Sequence, residues 1–156
     1  MTLFLFIVIA AIIIISFFLS VSSGSSYPLL KKRQADAAVW QLDDIDITIT
    51  AAYLEIISDS FDICGDEEIL KLRPEDSLFE LYRSYYRKNK FYDDMELERC
   101  GMKFADLCKS PDVPFEPESS LYDHLKLIAK CRNNQPVTDE ECAELGIKMN
   151  FLQMWR

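Results

Sequence analysis

Few side chains in this 156-residue sequence are suited to nucleophilic or metal chemistry. His124 is the single histidine, and the five cysteines contain no CxxC pair and fit no spacing of a structural zinc site. An odd number of cysteines without such a spacing favours free thiols in a reducing compartment. We therefore expect no bound metal and no cofactor. The cysteines are Cys64, Cys100, Cys108, Cys131 and Cys142.

His124, in the stretch LYDHLKL, is the one histidine that could act as a general base. Such a base needs a nucleophile within hydrogen-bond reach, and no catalytic signature surrounds it. We interpret His124 as a surface residue. The four glycines are scattered along the chain, which excludes a glycine-rich phosphate loop. The sequence therefore predicts a protein that is not an enzyme and has no catalytic residue.

The stretch FYDDMELE, residues 91–98, reads as the beginning of a helix. An aspartate at a helix N-terminus accepts hydrogen bonds from backbone N–H groups, and its charge suits the helix dipole. Helix capping is therefore the simplest interpretation of the two aspartates. The alternative is an acidic docking site for a protein with a basic surface. That site would be made of Asp93, Asp94, Glu96 and Glu98.

Two basic segments could contact anionic surfaces. The cluster Lys31, Lys32 and Arg33 follows an apolar segment, and we predict that it lies at lipid headgroups. The run YRSYYRKNKFY, residues 82–92, predicts an exposed, partly packed loop, with membrane-surface contact as the alternative. The formal net charge of −9 argues against nucleic acid as a partner, because phosphate backbones require basic patches.

The N-terminal segment is apolar from residue 3 to residue 19 apart from Ser16. As a helix it would be about 25 Å long, near the lower limit for crossing a bilayer. No Lys or Arg precedes it and a basic cluster follows, which predicts a single-pass anchor in a bacterial-type inner membrane with the C-terminal part in the cytoplasm. The alternative is a signal peptide cleaved near Ser20, Ser22 or Ser23, which would give a periplasmic or secreted protein.

The rest of the chain predicts an all-α bundle of short helices. We expect the first helix at residues 50–61, after an extended stretch DITIT and with Thr48 or Thr50 as its cap. Pro74 makes the preceding LKLR a loop that lays Leu70 and Leu72 on the helices. The local sequence also predicts where the later helices begin and end. We expect N-terminal caps at Asp76 or Ser77 and at Ser119 or Ser120. Thr138 and Glu141 predict a capping box for the last helix, which Gly146 ends.

The order of these stretches resembles that of acyl carrier proteins. The similarity covers about residues 50–130 and rests on PEDSLFEL (74–81), DDME (93–96), DVPFEPES (112–119) and SLYDHL (120–125). In that family, the serine that follows an aspartate at a helix start carries a 4′-phosphopantetheine arm through its hydroxyl. Asp94 occupies that position here. Because a carboxylate has no hydroxyl to form the phosphodiester, the resemblance implies a carrier-type domain without its attachment site.

The resemblance implies a small bundle of four to five helices that offers acidic residues to a partner protein. We divide the chain into a transmembrane anchor (1–20), a linker (21–46), an acyl-carrier-like domain (47–132) and a C-terminal helical extension (133–156). The tail KMNFLQMWR is expected to pack on the bundle, with a partner-binding helix as the alternative. The predicted function is a membrane-anchored interaction module with an unknown protein partner. An acyl carrier modified at another serine, Ser77 or Ser84, is the alternative.

Overall fold

The computed structural model describes residues 27–86 and 94–148, and these residues are helical without strands, which confirms the all-α class. None of the described helices is long and apolar enough to cross a membrane, and the predicted anchor lies outside the described residues. A 3-10 turn at Ala38–Trp40 precedes six α-helices. They are α1 (Ile47–Ser60), α2 (Asp66–Ile69), α3 (Leu78–Tyr86), α4 (Met95–Cys108), α5 (Leu121–Cys131) and α6 (Asp139–Leu145).

Helix α1 lies at the centre of the fold and packs against α4 and α5. Its side chains are buried on nearly every side, as is typical of a helix that neighbours surround rather than one lying on a core. The largest of them, Tyr53, is fully buried against Phe104 of α4, with their ring centroids 5.9 Å apart. Helices α1, α4 and α5 therefore form the frame on which the other elements pack.

The predicted start of α1 is wrong. The helix begins at Ile47, and its cap is Asp46, whose carboxylate accepts a hydrogen bond from the Thr48 backbone N–H at 2.9 Å. The stretch DITIT is therefore helical rather than extended. A β-branched residue destabilises a helix by only about 0.5 kcal/mol relative to alanine. Full burial of an isoleucine such as Ile49 stabilises the fold by about 2 kcal/mol, which is more than this cost.

Residues 27–46, the described part of the predicted linker, pack on the helices. Four large apolar side chains of this segment are buried, and the Tyr27 hydroxyl donates a hydrogen bond to the Phe61 carbonyl at 2.5 Å. The segment therefore belongs to the same core as the helices. The four buried side chains are Tyr27, Leu30, Trp40 and Ile45.

Helix α3 is longer than predicted. Leu70 and Leu72 are buried, and the Ser77 hydroxyl accepts a hydrogen bond from the Glu80 N–H at 3.1 Å, both as predicted. The exposed-loop prediction is wrong for residues 83–86, because α3 runs to Tyr86. Buried Leu78, Leu81 and Tyr82 recur at helical spacing and hold this helix on the core. The remainder of the predicted loop, residues 87–92, lies outside the described residues.

The predicted caps of the last two helices are confirmed. The Ser120 hydroxyl accepts a hydrogen bond from the Asp123 N–H at 3.1 Å and begins α5. Thr138 and Glu141 form the predicted capping box of α6, and Gly146 ends that helix with φ +65°. Local sequence therefore determines where α5 and α6 begin.

The described part of the predicted C-terminal extension, residues 133–148, also joins the core. Val137, Cys142 and Ile147 are buried, and α6 contacts α4. The tail after residue 148, for which packing on the bundle was predicted, lies outside the described residues.

Candidate functional site

Asp94 stands at the N-terminus of α4, where the sequence placed it, but its side chain does not cap the helix. The carboxylate instead accepts a hydrogen bond from the Tyr82 hydroxyl at 3.1 Å. The prediction of a side-chain cap at Asp94 is therefore wrong, and one of its two carboxylate oxygens is instead bonded to a residue of α3. The negative charge still lies at the positive end of the helix dipole. Asp93 lies outside the described residues.

One face of α4 is exposed and carries both apolar and acidic side chains. Met95 and Met102 are 55% and 65% exposed, and Glu98 and Asp106 are exposed on the same side. Because an α-helix turns by about 100° per residue, these four side chains fall within roughly 80° of arc. We call Met95, Glu98, Met102 and Asp106 the α4 stripe.

The acidic groups of the α4 stripe are not neutralised by other described residues. Neither Glu98 nor Asp106 forms a salt bridge within residues 27–86 and 94–148. The nearby basic side chains of α4 bind acceptors on α1 instead. Lys103 forms a salt bridge with the Asp59 carboxylate at 2.8 Å, and Arg99 donates a hydrogen bond to the Asp59 carbonyl at 3.4 Å. The stripe therefore presents negative charge that no described residue pairs, beside two exposed methionines.

The structure brings together only part of the predicted docking site. Asp94 and Glu98 are exposed at the first turn of α4, whereas Glu96 is half-buried on another side of the helix, with one carboxylate oxygen out of contact with solvent. Met102 and Asp106, which continue the exposed face, were not predicted as site residues. Their spacing from Met95 could have revealed them, because positions seven and eleven residues apart share a helix face.

The three residues of the basic cluster at 31–33 have different environments in the fold. Arg33 forms an ion pair with the buried carboxylate of Asp76, and this hydrogen bond raises the pKa of the guanidinium. Lys31 and Lys32 are exposed. Only these two lysines have side chains directed to solvent, so Arg33 serves the fold rather than a surface contact.

His124 is buried, with 2% of its surface exposed, so its interpretation as a surface residue is wrong. Its Nε2 lies 2.8 Å from the Glu116 carbonyl oxygen, which can only accept, so Nε2 carries the proton. Nδ1 then accepts a hydrogen bond from the Tyr53 hydroxyl at 2.5 Å. The ring stacks on Phe115, with centroids 5.3 Å apart. Burial lowers the pKa of His124.

The position of His124 could have been read from α5. It shares a face with the buried leucines and isoleucine at positions 121, 125 and 128, which recur at helical spacing. Both ring nitrogens are already bonded, Nδ1 to Tyr53 and Nε2 to the Glu116 carbonyl. The geometry of His124 therefore supports a structural role.

A groove lies between the C-terminal half of α4 and α6. It has a volume of about 790 Å³, and Met102 of the α4 stripe forms part of its wall. The apolar residues Ala105, Pro111 and Leu145 also line the groove, as do the charged residues Lys109, Arg132 and Glu141.

The charged residues of this groove bind one another. Arg132, only 7% exposed, donates to Glu141 at 2.8 Å and to the Leu107 and Pro136 carbonyls at 3.1 and 3.0 Å. Lys109 also forms an ion pair with Glu141. Burial alone would raise the pKa of Glu141, but the hydrogen bonds from Arg132 and Lys109 lower it to about 2. Sequence reasoning found only the capping role of Glu141, because its cationic partners come from distant parts of the chain.

The described residues do not assemble a metal site. No group of three or more His, Cys, Asp or Glu side chains within 27–86 and 94–148 could hold an ion.

No family model, curated protein or solved structure matches this chain. The α4 stripe borders the groove between α4 and α6, and together they form a surface of apolar and charged side chains.

Proposed function

We propose that this chain is a membrane-anchored, non-enzymatic interaction module whose helical domain is acyl-carrier-like but has no phosphopantetheine site. The observation that carries the proposal is the position of Asp94: it stands at the N-terminus of a 14-residue helix, directly before an exposed acidic stripe. A carrier protein would have its arm at this point, beside the surface that its partner enzymes contact.

The contacts between the matched segments support the comparison with carrier proteins. The loop before α3 and the start of α5 are bonded through their backbones: Leu121 N–H donates to the Asp76 carbonyl at 2.8 Å, and Tyr122 N–H donates to the Pro74 carbonyl at 2.9 Å. Both segments carry the motifs on which the resemblance rests. These two matched segments are therefore bonded to each other, and the helices that they begin, α3 and α5, both contact α4.

The alternative of a carrier modified at another serine is less well supported. Ser77 is 8% exposed, and its hydroxyl accepts a hydrogen bond at the N-terminus of α3. The Ser84 hydroxyl donates to the Leu81 carbonyl at 2.8 Å, within the body of the same helix. Neither hydroxyl lies at an exposed helix N-terminus, where backbone N–H groups could bind an incoming phosphate.

The α4 stripe is the proposed docking surface. Exposed apolar side chains that are grouped among charges mark sites of protein contact, and methionine adapts readily to the shape of a partner. The carboxylates of Glu98 and Asp106, which form no salt bridge with residues 27–86 or 94–148, favour a partner that surrounds an apolar side chain with Lys or Arg. Asp94 extends this negative surface to the start of the helix.

We further propose that residues 3–19 form a single-pass anchor and that the domain lies in the cytoplasm, with Lys31 and Lys32 near the headgroups. All five cysteines are free thiols, which is the state expected in a reducing compartment. In the alternative, a periplasmic or secreted protein, signal peptidase would remove about the first 22 residues. N-terminal sequencing of the mature chain separates the two, because cleavage would leave a new terminus near Ser23.

The proposal is tested by restoring the missing hydroxyl. The full chain, its Asp94→Ser variant and an Asp94→Ala control are each co-expressed with a phosphopantetheinyl transferase, and their intact masses are measured. We expect the serine variant alone to gain the mass of one phosphopantetheine group. Modification of the wild-type chain would contradict the loss of carrier chemistry. An unmodified serine variant would contradict the resemblance.

A further inference from the structure

The groove between α4 and α6 lies beside the point at which the described chain ends. Glu144 and Leu145, at the end of α6, line the groove. Gly146 then turns the chain with φ +65°, and the Ile147 N–H donates a hydrogen bond to a carbonyl of α6 at 3.0 Å. Ile147 is buried, so this turn brings the chain back onto the domain. The residues after Lys148 therefore begin within a few residues of the groove wall.

The apolar part of the groove is open to solvent. Met102 and Pro111 are exposed, and Ala105 and Leu145 are half-buried. The groove volume of about 790 Å³ lies within the range of clefts that enclose a ligand, about 300–1,000 Å³. Apolar side chains that are grouped in this way mark a place where another segment packs.

The cations of the groove already bind one of its own acids, whereas two other acids are available. Lys109 and Arg132 both form ion pairs with Glu141. Asp106 and Glu144 also line the groove and are exposed, and neither forms a salt bridge with any other described residue. Charge complementarity therefore favours an occupant that combines apolar side chains with a positive charge.

Residues 149–156, which follow directly in the sequence, have this composition. Five of these eight residues are apolar, and Arg156 carries the only charged side chain among them. Phe151 and Leu152 stand four and three residues before Trp155, a spacing that would place all three on one face of a helix. The segment therefore offers the apolar groups and the positive charge that the groove lacks.

The segment is also long enough to cross the groove. Helices α4 and α6 are in contact, and the axes of packed helices are about 8–10 Å apart. Eight residues span up to about 27 Å when extended and about 12 Å as a helix. A segment tethered at the edge of its site has an effective concentration on the order of millimolar, which favours it over a separate chain.

We propose that residues 149–156 bind in the groove between α4 and α6 of the same chain. Their apolar side chains cover the apolar wall of the groove, and Arg156 lies near the carboxylates of Asp106 and Glu144. The groove side of Met102 is then covered, while the rest of the α4 stripe stays open. Because this contact is made within one chain, it does not depend on the partner protein that the proposed function requires.

The test is photocrosslinking from position 102 of the full chain. A photoreactive amino acid replaces Met102, intact cells are irradiated, and the purified chain is digested with trypsin. We expect a product with the mass of one chain, in which the tryptic peptide 149–156 is joined to the tryptic peptide 100–103. The same amino acid at Glu75, an exposed position in the loop before α3, is the control and should form no link to residues 149–156.

Two tail variants separate binding in the groove from simple proximity. Phe151→Ser with Trp155→Ser should lower the yield of the crosslink about tenfold or more, because burial of each large apolar side chain favours binding by about tenfold. Asn150→Ser with Gln153→Ser, at polar positions of the same segment, is the matched control and should keep the wild-type yield.

The wild-type tail sequence alone can overturn the proposal, even where a tail variant fails to accumulate. Adducts with other proteins but no link to residues 149–156 would assign the groove to a separate partner and leave the proposed function standing. A link found only in products with the mass of two chains would place the occupant in a second copy. Equal yields from positions 102 and 75, or equal yields in the two tail variants, would also overturn it.

Discussion

His124 should make the stability of this domain depend on pH in a range where few other groups titrate. It is the single histidine of the chain, and it is held neutral by the Tyr53 hydroxyl at Nδ1 and the Glu116 carbonyl at Nε2. Protonation at Nδ1 would break the bond donated by Tyr53 and place a charge among aromatic rings. The hydrogen bond with the Glu116 carbonyl and the neighbouring Asp123 carboxylate partly oppose the effect of burial, which nevertheless lowers the pKa.

The direction of the pH effect follows from proton uptake in the two states. In the unfolded chain the pKa of the histidine is about 6.5, whereas in the fold it lies lower. Between these values the unfolded chain binds one more proton, so the free energy of unfolding decreases as the pH falls below about 6.5. A single group can produce a slope of up to about 1.36 kcal/mol per pH unit. Above about pH 7 its contribution is fully present.

Urea unfolding followed by far-UV circular dichroism, at several pH values from 7.5 to 5, measures this slope. His124→Gln should lower the free energy of unfolding at pH 7.5 by about 1–3 kcal/mol, because the hydrogen bonds of the buried ring are lost. It should also remove the slope between pH 6.5 and 5.5. Lys130→Gln, at an exposed position near the end of α5, is the matched control and should keep the wild-type slope.

The proton NMR signal of the histidine ring gives its pKa directly. A pKa at or above 6.5 in the folded chain would refute the burial argument, and so would a slope that persists unchanged in His124→Gln.

Two further substitutions test the packing around the site. Glu141→Gln should lower the free energy of unfolding at pH 7 by about 1–2 kcal/mol, because buried Arg132 loses its charged partner, while Glu144→Gln at the exposed neighbouring position changes little. Because the pKa of Glu141 is lowered to about 2, this contribution should be full above about pH 4.5 and lost as the pH falls towards 2. Gly101→Ala should destabilise the chain by about 1 kcal/mol, against the usual gain for this change in a helix, because its Cβ would lie 2.9 Å from Phe115 Cδ1. In a Phe115→Leu background the same change should be stabilising; thermal unfolding measures both effects, and equal behaviour in the two backgrounds would contradict the proposed clash.

Features that depend on neighbouring residues in sequence could be predicted. The caps at Ser120 and Thr138 and the turn at Gly146 involve groups within four residues of one another, so the local pattern contains the whole interaction. The all-α class follows from the same helical spacing of apolar residues. The predicted start of α1 was wrong because burial of Ile49 outweighs the weak preference of β-branched residues for extended structure.

Features that depend on distant residues could not be predicted. The Asp94 carboxylate bonds to Tyr82 rather than to its own helix, and nothing local to FYDDMELE shows this competitor. Arg132 takes its acceptors from the end of α4, from the loop after α5 and from α6, and only the folded chain brings these together. Burial of His124 is an intermediate case, because its spacing on α5 indicates the core face while its polarity suggests the surface.

The most direct test of the proposed function is crosslinking from the α4 stripe in the cell that produces the protein. A photoreactive amino acid is placed at Met102 in the full-length chain, and adducts are compared with those of a chain that also carries Glu98→Lys and Asp106→Lys. We predict discrete protein adducts that the double charge reversal removes and that Glu118→Lys with Glu140→Lys, at exposed positions elsewhere, does not. Adducts of equal yield in all three chains, or none from position 102, would contradict a docking role for the stripe.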